Sequence, residues 1–354
     1  MILRIASFIL FLLTILAAYG GRINPEYIMF PSALTLALPY FAISTLVVTV
    51  AWLCAGRWFT AAIGVLALVA AWNPISTAIP LRFSSKPTDP NYTFSLLTYN
   101  ILHGQDQQDP QMRSGNRSFQ YVLDSDADLV GLQEVINIDD KYEVPKFEGA
   151  LRDSLLKKYP YRAGTSNCDL KVWSKFPVKL IHEYPTFSLY EVKMPWGKLN
   201  WINMHLSSFH LSDEERKVMR DVISVKDTEE GLKEMKGSIR EKLKSGFKRR
   251  AERARAMREV VDGLKGPVII SGDFNDVPES YAYRIVKGND LGDAYAETSF
   301  GPVVTYNRHG FWFHLDQILY SKNALKPLSV EKGTLKSSDH YPLLSEFEWK
   351  TKQQ

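Results

Sequence analysis

The sequence predicts a soluble α/β domain carried behind an apolar amino-terminal segment. Two observations predict it. Residues 1–81 contain only three basic residues, Arg4, Arg22 and Arg57, and one acid, Glu26, while almost all remaining charge lies downstream. Beyond residue 93, short apolar stretches recur and many run directly into a polar residue, the pattern of strands buried on one or both faces.

Three uncharged runs open the chain, at 5–21, 27–56 and 58–81. Crossing the hydrocarbon core of a bilayer takes about 20 apolar residues. The second run exceeds that, the third suffices and the first is marginal. The expectation is a membrane anchor over 1–82 with three spans near 5–21, 30–53 and 58–80. For the first run the alternative is a cleaved signal peptide, with Arg4 ahead of an apolar stretch and the small residues of "LAAYGG" behind it; the apolar runs that follow argue against simple secretion. Arg4 and Arg57 would share the cytoplasmic side of a plasma membrane. An odd number of crossings then places the rest of this multi-pass chain outside the cytoplasm, although Arg22, Arg82 and Lys86 on that side weaken the bias. The runs contain no charged residue, which argues against a transport path.

"SSKPTDPN" lies in a linker over 83–93, and a globular domain is expected over 94–350. Its strands are read at 94–102, 127–135, 171–176, 198–206, 267–274, 314–321 and 341–349, and its helices at 115–125, 147–158 and about 211–264. Between Arg240 and Arg258 stand nine basic residues and two acidic ones. Ile239, Leu243, Phe247, Ala251, Ala254, Met257 and Val261 nevertheless recur at three- and four-residue steps and make one apolar face. A scaffold helix with a basic solvated face accounts for this; contact with phosphate backbones or anionic lipid is the functional alternative. The net charge of +4 is too small to indicate a nucleic-acid partner by itself. Cys54 lies in an apolar run and Cys168 in the polar part of the chain, so no disulfide is expected between them, and no zinc-type spacing exists.

The polar residues bordering the strands carry the chemistry. Asn100 follows "LLTY", Glu134 follows "LVGLQ", His205 follows "WINM", Asp273 and Asn275 follow "VIISG", Asp316 follows "HL", and Asp339 and His340 precede "YPLL". A carboxylate or imidazole at a strand end loses hydration free energy unless it has a partner. Any one of these could be a turn residue or a structural histidine, but eight together supply a hard-cation site with histidines for phosphate and proton work. Attack on phosphorus needs an activated water, counter-charge for the phosphoryl oxygens and help for the leaving group. Mg²⁺ prefers a few carboxylate oxygens, and Glu134 with Asp339 and Asn100 meets that demand.

The ordered set "TYN", "LQE", "MHL", "GDFN", "LDQIL" and "SDHYP" resembles the endonuclease/exonuclease/phosphatase superfamily, in a membrane-anchored, bacterial-type form. The resemblance spans about 94–349 and implies the DNase-I-like fold: a four-layer α/β sandwich of two packed, mostly antiparallel sheets flanked by helices. It implies Glu134 as principal metal ligand with Asn100 and Asp339 close by, Mg²⁺ or Mn²⁺ as cofactor, and Asp273 orienting or deprotonating the attacking water. Asn275 would hold that water or the phosphate, His340 would contact the scissile phosphate with Asp316 fixing its tautomer, and His205 would be a second phosphate ligand or leaving-group acid. Where relatives carry Arg before Ile-Asp, this chain has His314 and Leu315. "NCDLKVWSKFP" departs from the usual third-strand motif, with Trp173 read as packing, and the charged stretch after His205 is longer than a minimal member needs, with His210 read as a surface histidine.

The function implied is hydrolysis of phosphate esters by a membrane-anchored enzyme, on nucleic acid, a phospholipid or a phosphorylated metabolite, with the bilayer as partner and no obligate protein partner. The alternative is a catalytically silent binding module that keeps the fold.

Overall fold

The computed structural model describes residues 1–135, 149–165, 169–221, 229–308 and 310–350. Cys168 and residues 147–148 of the expected second helix lie outside the described residues. Among the described residues, fourteen strands form two six-stranded sheets and a hairpin. The first sheet contains β1 (Thr93–Asn100), β2 (Leu129–Gln133), β3 (Tyr161–Ala163), β4 (Lys171–Ser174), β13 (Leu325–Lys332) and β14 (Leu343–Trp349), in the order β13-β14-β1-β2-β4-β3. The second contains β5 (Val178–Tyr184), β6 (Phe187–Met194), β7 (Gly197–His205), β8 (Val268–Asp273), β9 (Leu291–Asp293) and β12 (Asp316–Ser321), in the order β5-β6-β7-β8-β12-β9. Strands β10 (Tyr306–Arg308) and β11 (Phe311–Phe313) pair as the hairpin.

Strand alternation builds the layers. Because successive side chains point to opposite faces, Leu96, Leu129, Trp201 and Ile269 enter the core between the sheets. Their neighbours Leu97 and Val130 face the outer layer of the first sheet, and Ile202 and Ile270 that of the second. The first outer layer is closed by α6 (Arg117–Ser125) and α7 (Ala150–Lys158), through Phe119, Val122 and Leu155. Asn116 caps α6 by accepting from the Phe119 amide at 3.1 Å. The second outer layer is α9 (Glu229–Gly263) with α10 (Tyr281–Lys287). Ala254, Met257 and Val261 of the expected apolar face pack there, with Ile239, Phe247 and Ala251 also buried. The four-layer sandwich is therefore present. The long helical stretch after His205 comprises α8 (Asp213–Asp221) and α9.

One member of the basic run is not solvated. Arg250 is fully buried on α9, its Nε 3.0 Å from Asp276 Oδ2 and its guanidinium over Phe209 and Phe247. Asp276, just beyond the end of β8, thus ties that segment to the outer helix.

Each sheet contains one parallel pair at its centre, β1 with β2 and β7 with β8, and is otherwise antiparallel. Helix α6 bridges the first pair and α8 and α9 lie between the strands of the second, as parallel strands require. Gly272 permits the β7–β8 approach: a Cβ there would lie 2.1 Å from the Met204 carbonyl oxygen, and its φ is +137°.

The amino-terminal runs form α1 (Ile2–Tyr19), α2 (Phe30–Thr35), α3 (Leu38–Cys54), α4 (Trp58–Ala70) and α5 (Trp72–Ala78). Helix α11 (Ala294–Thr298) completes the set. The helix containing α1, Ile2–Arg22, is long and apolar enough to cross a membrane. The second run divides at Leu36–Ala37, just before α3, which carries Pro39 in its first turn. The third bends by 65° between α4 and α5, close to Pro74; proline cannot supply an interior helical N–H. Polar contacts bind the bundle internally, Thr14 to Thr45 at 2.7 Å and Trp52 Nε1 to Ser7 at 2.9 Å. The bundle meets the sandwich at Gly21, whose missing Cβ would sit 1.9 Å from the Glu279 carbonyl oxygen, and at the Glu26–Arg255 ion pair. The 83–93 stretch is pinned to the first sheet: Ser85 N donates to Leu328 O, and Thr88 and Asp89 N donate to Glu348 Oε1, each at 2.8 Å.

Candidate active site

The carboxyl ends of the four central parallel strands meet at one end of the sandwich. Asn100 ends β1, Glu134 follows β2, and His205 and Asp273 end β7 and β8 as paired neighbours. Asp316 begins β12 opposite Asp273 in the antiparallel register, so its side chain comes to the same end. His340 is brought alongside by an isolated bridge to Tyr306. Polar residues belong here because the strands' apolar positions are consumed by the layers behind them.

Asp273 is the hub. Its Oδ2 accepts from Asn100 Nδ2 and Asn275 Nδ2 at 3.2 Å each, and lies 3.5 Å from His340 Nε2 and 3.7 Å from His205 Nε2. Its Oδ1 accepts from the Asn275 amide at 2.7 Å. Complete burial pushes the carboxyl up, against the lowering by His340, to about 6. Asn100 joins the two sheets, its Nδ2 also donating to Glu134 Oε1 at 2.9 Å while its Oδ1 accepts from Leu102 N at 3.2 Å. In this arrangement Asn100 orients two carboxylates, and Asn275, whose Nδ2 also donates to Leu206 O at 2.8 Å, buttresses Asp273.

Each histidine has its own carboxylate. His340 Nδ1 lies 2.8 Å from Asp316 Oδ2. Burial alone would lower this imidazole, but the charges of Asp316 and Asp273 outweigh it and raise it to about 10. His205 Nδ1 lies 2.8 Å from Asp169 Oδ2, and against the lowering by burial that hydrogen bond, with Asp273 and Glu134 nearby, raises it to about 9. Sequence reasoning missed Asp169. Its signal was present, since it borders the apolar "LKVW" just as the other site residues border their strands.

Glu134 and Asn275 adopt φ of +54° and +49°, and Leu102 and His103 beside them are also left-handed. Non-glycine residues hold this conformation only where the surroundings impose it. Around them a cleft of about 490 Å³ contains Glu134, His205, Asp273, Asn275, Asp339 and His340. Asn100 and Asp316 stand behind this lining. His210 is exposed at the cleft's edge, and Trp173 is buried and stacked on Phe119. His314 is buried against Tyr295 and driven down to about 4 by desolvation, so it brings no charge. Positive charge comes instead from Arg216, which donates to the Tyr306 hydroxyl at 2.6 Å, and Arg308, 3.4 Å from both Asp339 and Asp213. These lie on α8 and β10, where no bordering apolar strand marks them in the sequence.

Among the described residues, two groupings could hold a cation. Asp273, Asp316 and His340 have ligand atoms within 4.8 Å of one another, but His340 Nδ1 is committed to Asp316 and the raised imidazole retains its proton, so a cation would have to displace it. Glu134 and Asp339 are freer. Glu134 Oε2 is 3.6 Å from His103 Nε2, beyond hydrogen-bond reach, and the contacts of Asp339 to Arg308 and to Ser338 are long, at 3.4 Å. Oxygen-only donors with spare lone pairs fit a hard divalent cation.

Residues 97–340 match the model of the Endonuclease/Exonuclease/phosphatase family, and residues 1–78 match that of a domain of unknown function. No curated protein matches the chain significantly. Among solved structures, an endonuclease/exonuclease/phosphatase from Beutenbergia cavernae is 15% identical, with 73% of this chain and 72% of that one covered and a TM-score of 0.46. Humanized D. rerio TDP2 is 15% identical, covering 73% and 99%, with a TM-score of 0.47. An endonuclease/exonuclease/phosphatase family protein from Bacteroides thetaiotaomicron is 14% identical, covering 75% and 100%, with a TM-score of 0.45.

Proposed function

The chain belongs to the endonuclease/exonuclease/phosphatase family, and from that premise we propose that it is a membrane-anchored hydrolase of phosphate esters that works with a divalent cation. The observation that carries this reading is the position of Asp273, within 3.7 Å of both site histidines and hydrogen-bonded to both site asparagines.

Asp273, with its carboxyl raised to about 6, is a carboxylate at neutral pH and basic enough to take a proton from water. That water attacks phosphorus and the bond to the leaving oxygen breaks. His340, kept protonated by Asp316, faces the phosphoryl oxygens and balances their charge. His205, kept protonated by Asp169, gives its proton to the leaving oxygen. Glu134 and Asp339 would hold Mg²⁺ or Mn²⁺, with Asn100 fixing Glu134. When bound, the cation supplies Lewis-acid charge to the phosphate.

The anchor reading is supported by where exposed apolar side chains fall. Among the described residues, the large hydrophobics exposed outside residues 1–83 are Tyr161, Ile181, Phe300 and Trp312. Helix α1 alone spans about 27 Å at about 1.5 Å per residue, close to the hydrocarbon thickness. Arg4 and Arg57 line one surface pocket at the same end of the bundle, whereas Glu26 at the other end pairs with the sandwich. This supports a cytoplasmic face at Arg4 and Arg57 and an extracytoplasmic catalytic domain in the plasma membrane.

The test is hydrolysis of bis(p-nitrophenyl) phosphate by the full chain in neutral detergent. Activity should disappear with EDTA and return with Mg²⁺ or Mn²⁺, and Asp273→Ala and His340→Ala should each lower it by about 10²–10⁴-fold. Turnover indifferent to chelation, or near-normal turnover by either variant, contradicts the proposal. Protease added to intact cells should release the catalytic domain; its protection reverses the orientation.

A further inference from the structure

One wall of the catalytic cleft is apolar, and the amino-terminal helices help to build it. Leu36, at the break between α2 and α3, lines the same cleft as Glu134, Asp273 and His340. It packs with Phe311 and Phe313 against Val277, Tyr306 and Leu315. Leu36 and Phe313 also line a second cavity of about 160 Å³. Leu38, Tyr40 and Ile43 of α3 stand on one side of that cavity, and Val303 and Trp312 of the sandwich on the other. Its lining is mostly apolar; among its polar exceptions is the buried imidazole of His314, neither ring nitrogen of which has a hydrogen-bond partner.

The position of this cavity is informative. It lies where the bundle's exposed apolar surface meets the sandwich, and Trp312, Tyr40 and Ile43 on its rim are themselves exposed. Arg308 at the cleft lies 3.4 Å from both Asp339 and Asp213, and Arg216, which donates to the Tyr306 hydroxyl, offers its positive charge to a phosphate head group. We infer that the substrate is an amphiphile. Its phosphate ester sits among Glu134, Asp273 and His340, and its alkyl or acyl chain passes Leu36 and Phe313 into the cavity beside α3. This rests on the phosphate-ester hydrolase reading and adds the substrate class. The break in the second apolar run acquires a purpose: it turns Leu36 toward the cleft.

Cavity size sets the expected signature. An apolar cavity of about 150 Å³ accommodates benzene, so this one accepts about six carbons. Each methylene buried from water strengthens binding about fourfold. The probes are methyl, hexyl and dodecyl p-nitrophenyl phosphate, which share head group and leaving group, assayed with Mg²⁺ on the full chain in neutral detergent. The expected kcat/KM rises by about 10²-fold or more from methyl to hexyl, then flattens toward dodecyl. Leu36→Ser should compress the rise to a few-fold, as should Ile43→Ser, a half-exposed position where misfolding is not at issue. Equal turnover of methyl and hexyl esters overturns the inference while leaving the hydrolase reading intact. So does a chain-length effect that both variants retain in full, since it would then come from the micelle, and so does faster cleavage of thymidine p-nitrophenyl phosphate than of the hexyl ester. If no ester is cleaved, the hydrolase reading falls and this inference with it.

Discussion

Replacing Asp316 with Asn removes one charge and keeps the shape of the site. The carboxylate and the His340 imidazole are both buried and stand 2.8 Å apart. At an effective dielectric constant of about 20, unit charges at that separation attract by about 6 kcal/mol, or about four pKa units at about 1.36 kcal/mol each. That is enough to offset burial and hold the imidazole at about 10. In the native protein, the proposed hydrolysis should rise with pH through about 6 as Asp273 loses its proton, and fall through about 10 as His340 loses its own. In Asp316→Asn the alkaline limb should move down by about two units or more. The acid limb should shift the same way, because the charge of Asp316 also pushes Asp273 up. At pH 8 kcat should fall by about twofold for a two-unit shift and by about 10²-fold for the full four units. The assay is a pH–rate profile on bis(p-nitrophenyl) phosphate with saturating Mg²⁺, and a thermal melt confirms folding. An alkaline limb that stays near 10 in the variant would refute the argument that Asp316 sets the protonation of His340.

Three other perturbations test separate parts of the structure. Asp169→Asn removes the charge behind the hydrogen bond that helps to raise His205 to about 9; if His205 protonates the leaving oxygen, alkyl leaving groups should slow by about 10–10²-fold while p-nitrophenyl esters change little, and equal loss for both would exclude that role. Arg250→Met strands Asp276 as a buried, uncompensated charge and should cost about 3–5 kcal/mol, read as a lowered Tm in detergent, with Arg250→Met/Asp276→Leu recovering most of it. Gly272→Ala drives a Cβ to 2.1 Å from the Met204 carbonyl oxygen at positive φ; about 3 kcal/mol of destabilisation is expected from overpacking and strain, and an unchanged Tm would show that the central parallel pair can separate freely.

Much of the candidate site was legible because a strand leaves a simple trace. The apolar run ending in "SGD" marks Asp273, and "LVGLQE" marks Glu134, since buried strands tolerate a polar group only where they emerge. Asp169 carried the same mark and was overlooked because its strand departs from the motif expected there. Arg216, Tyr306 and Arg308 carried none. They reach the cleft from a helix and a short hairpin, and nothing in local periodicity says where such elements fold back.

The sequence by itself marked the strands, the polar residues at their ends and the apolar character of residues 1–81 through the local pattern of apolar and polar side chains, while the layers and the convergence of the strand ends were implied by the family resemblance. Only the tertiary structure decided how those polar ends are shared. It made Asp273 the hub, turned Asn100 toward the carboxylates, buried Arg250 against Asp276 and brought Leu36 to the wall of the cleft. Such contacts join residues far apart along the chain: their geometry depends on how sheets, helices and bundle dock, and docking is fixed by packing that no single stretch of sequence contains.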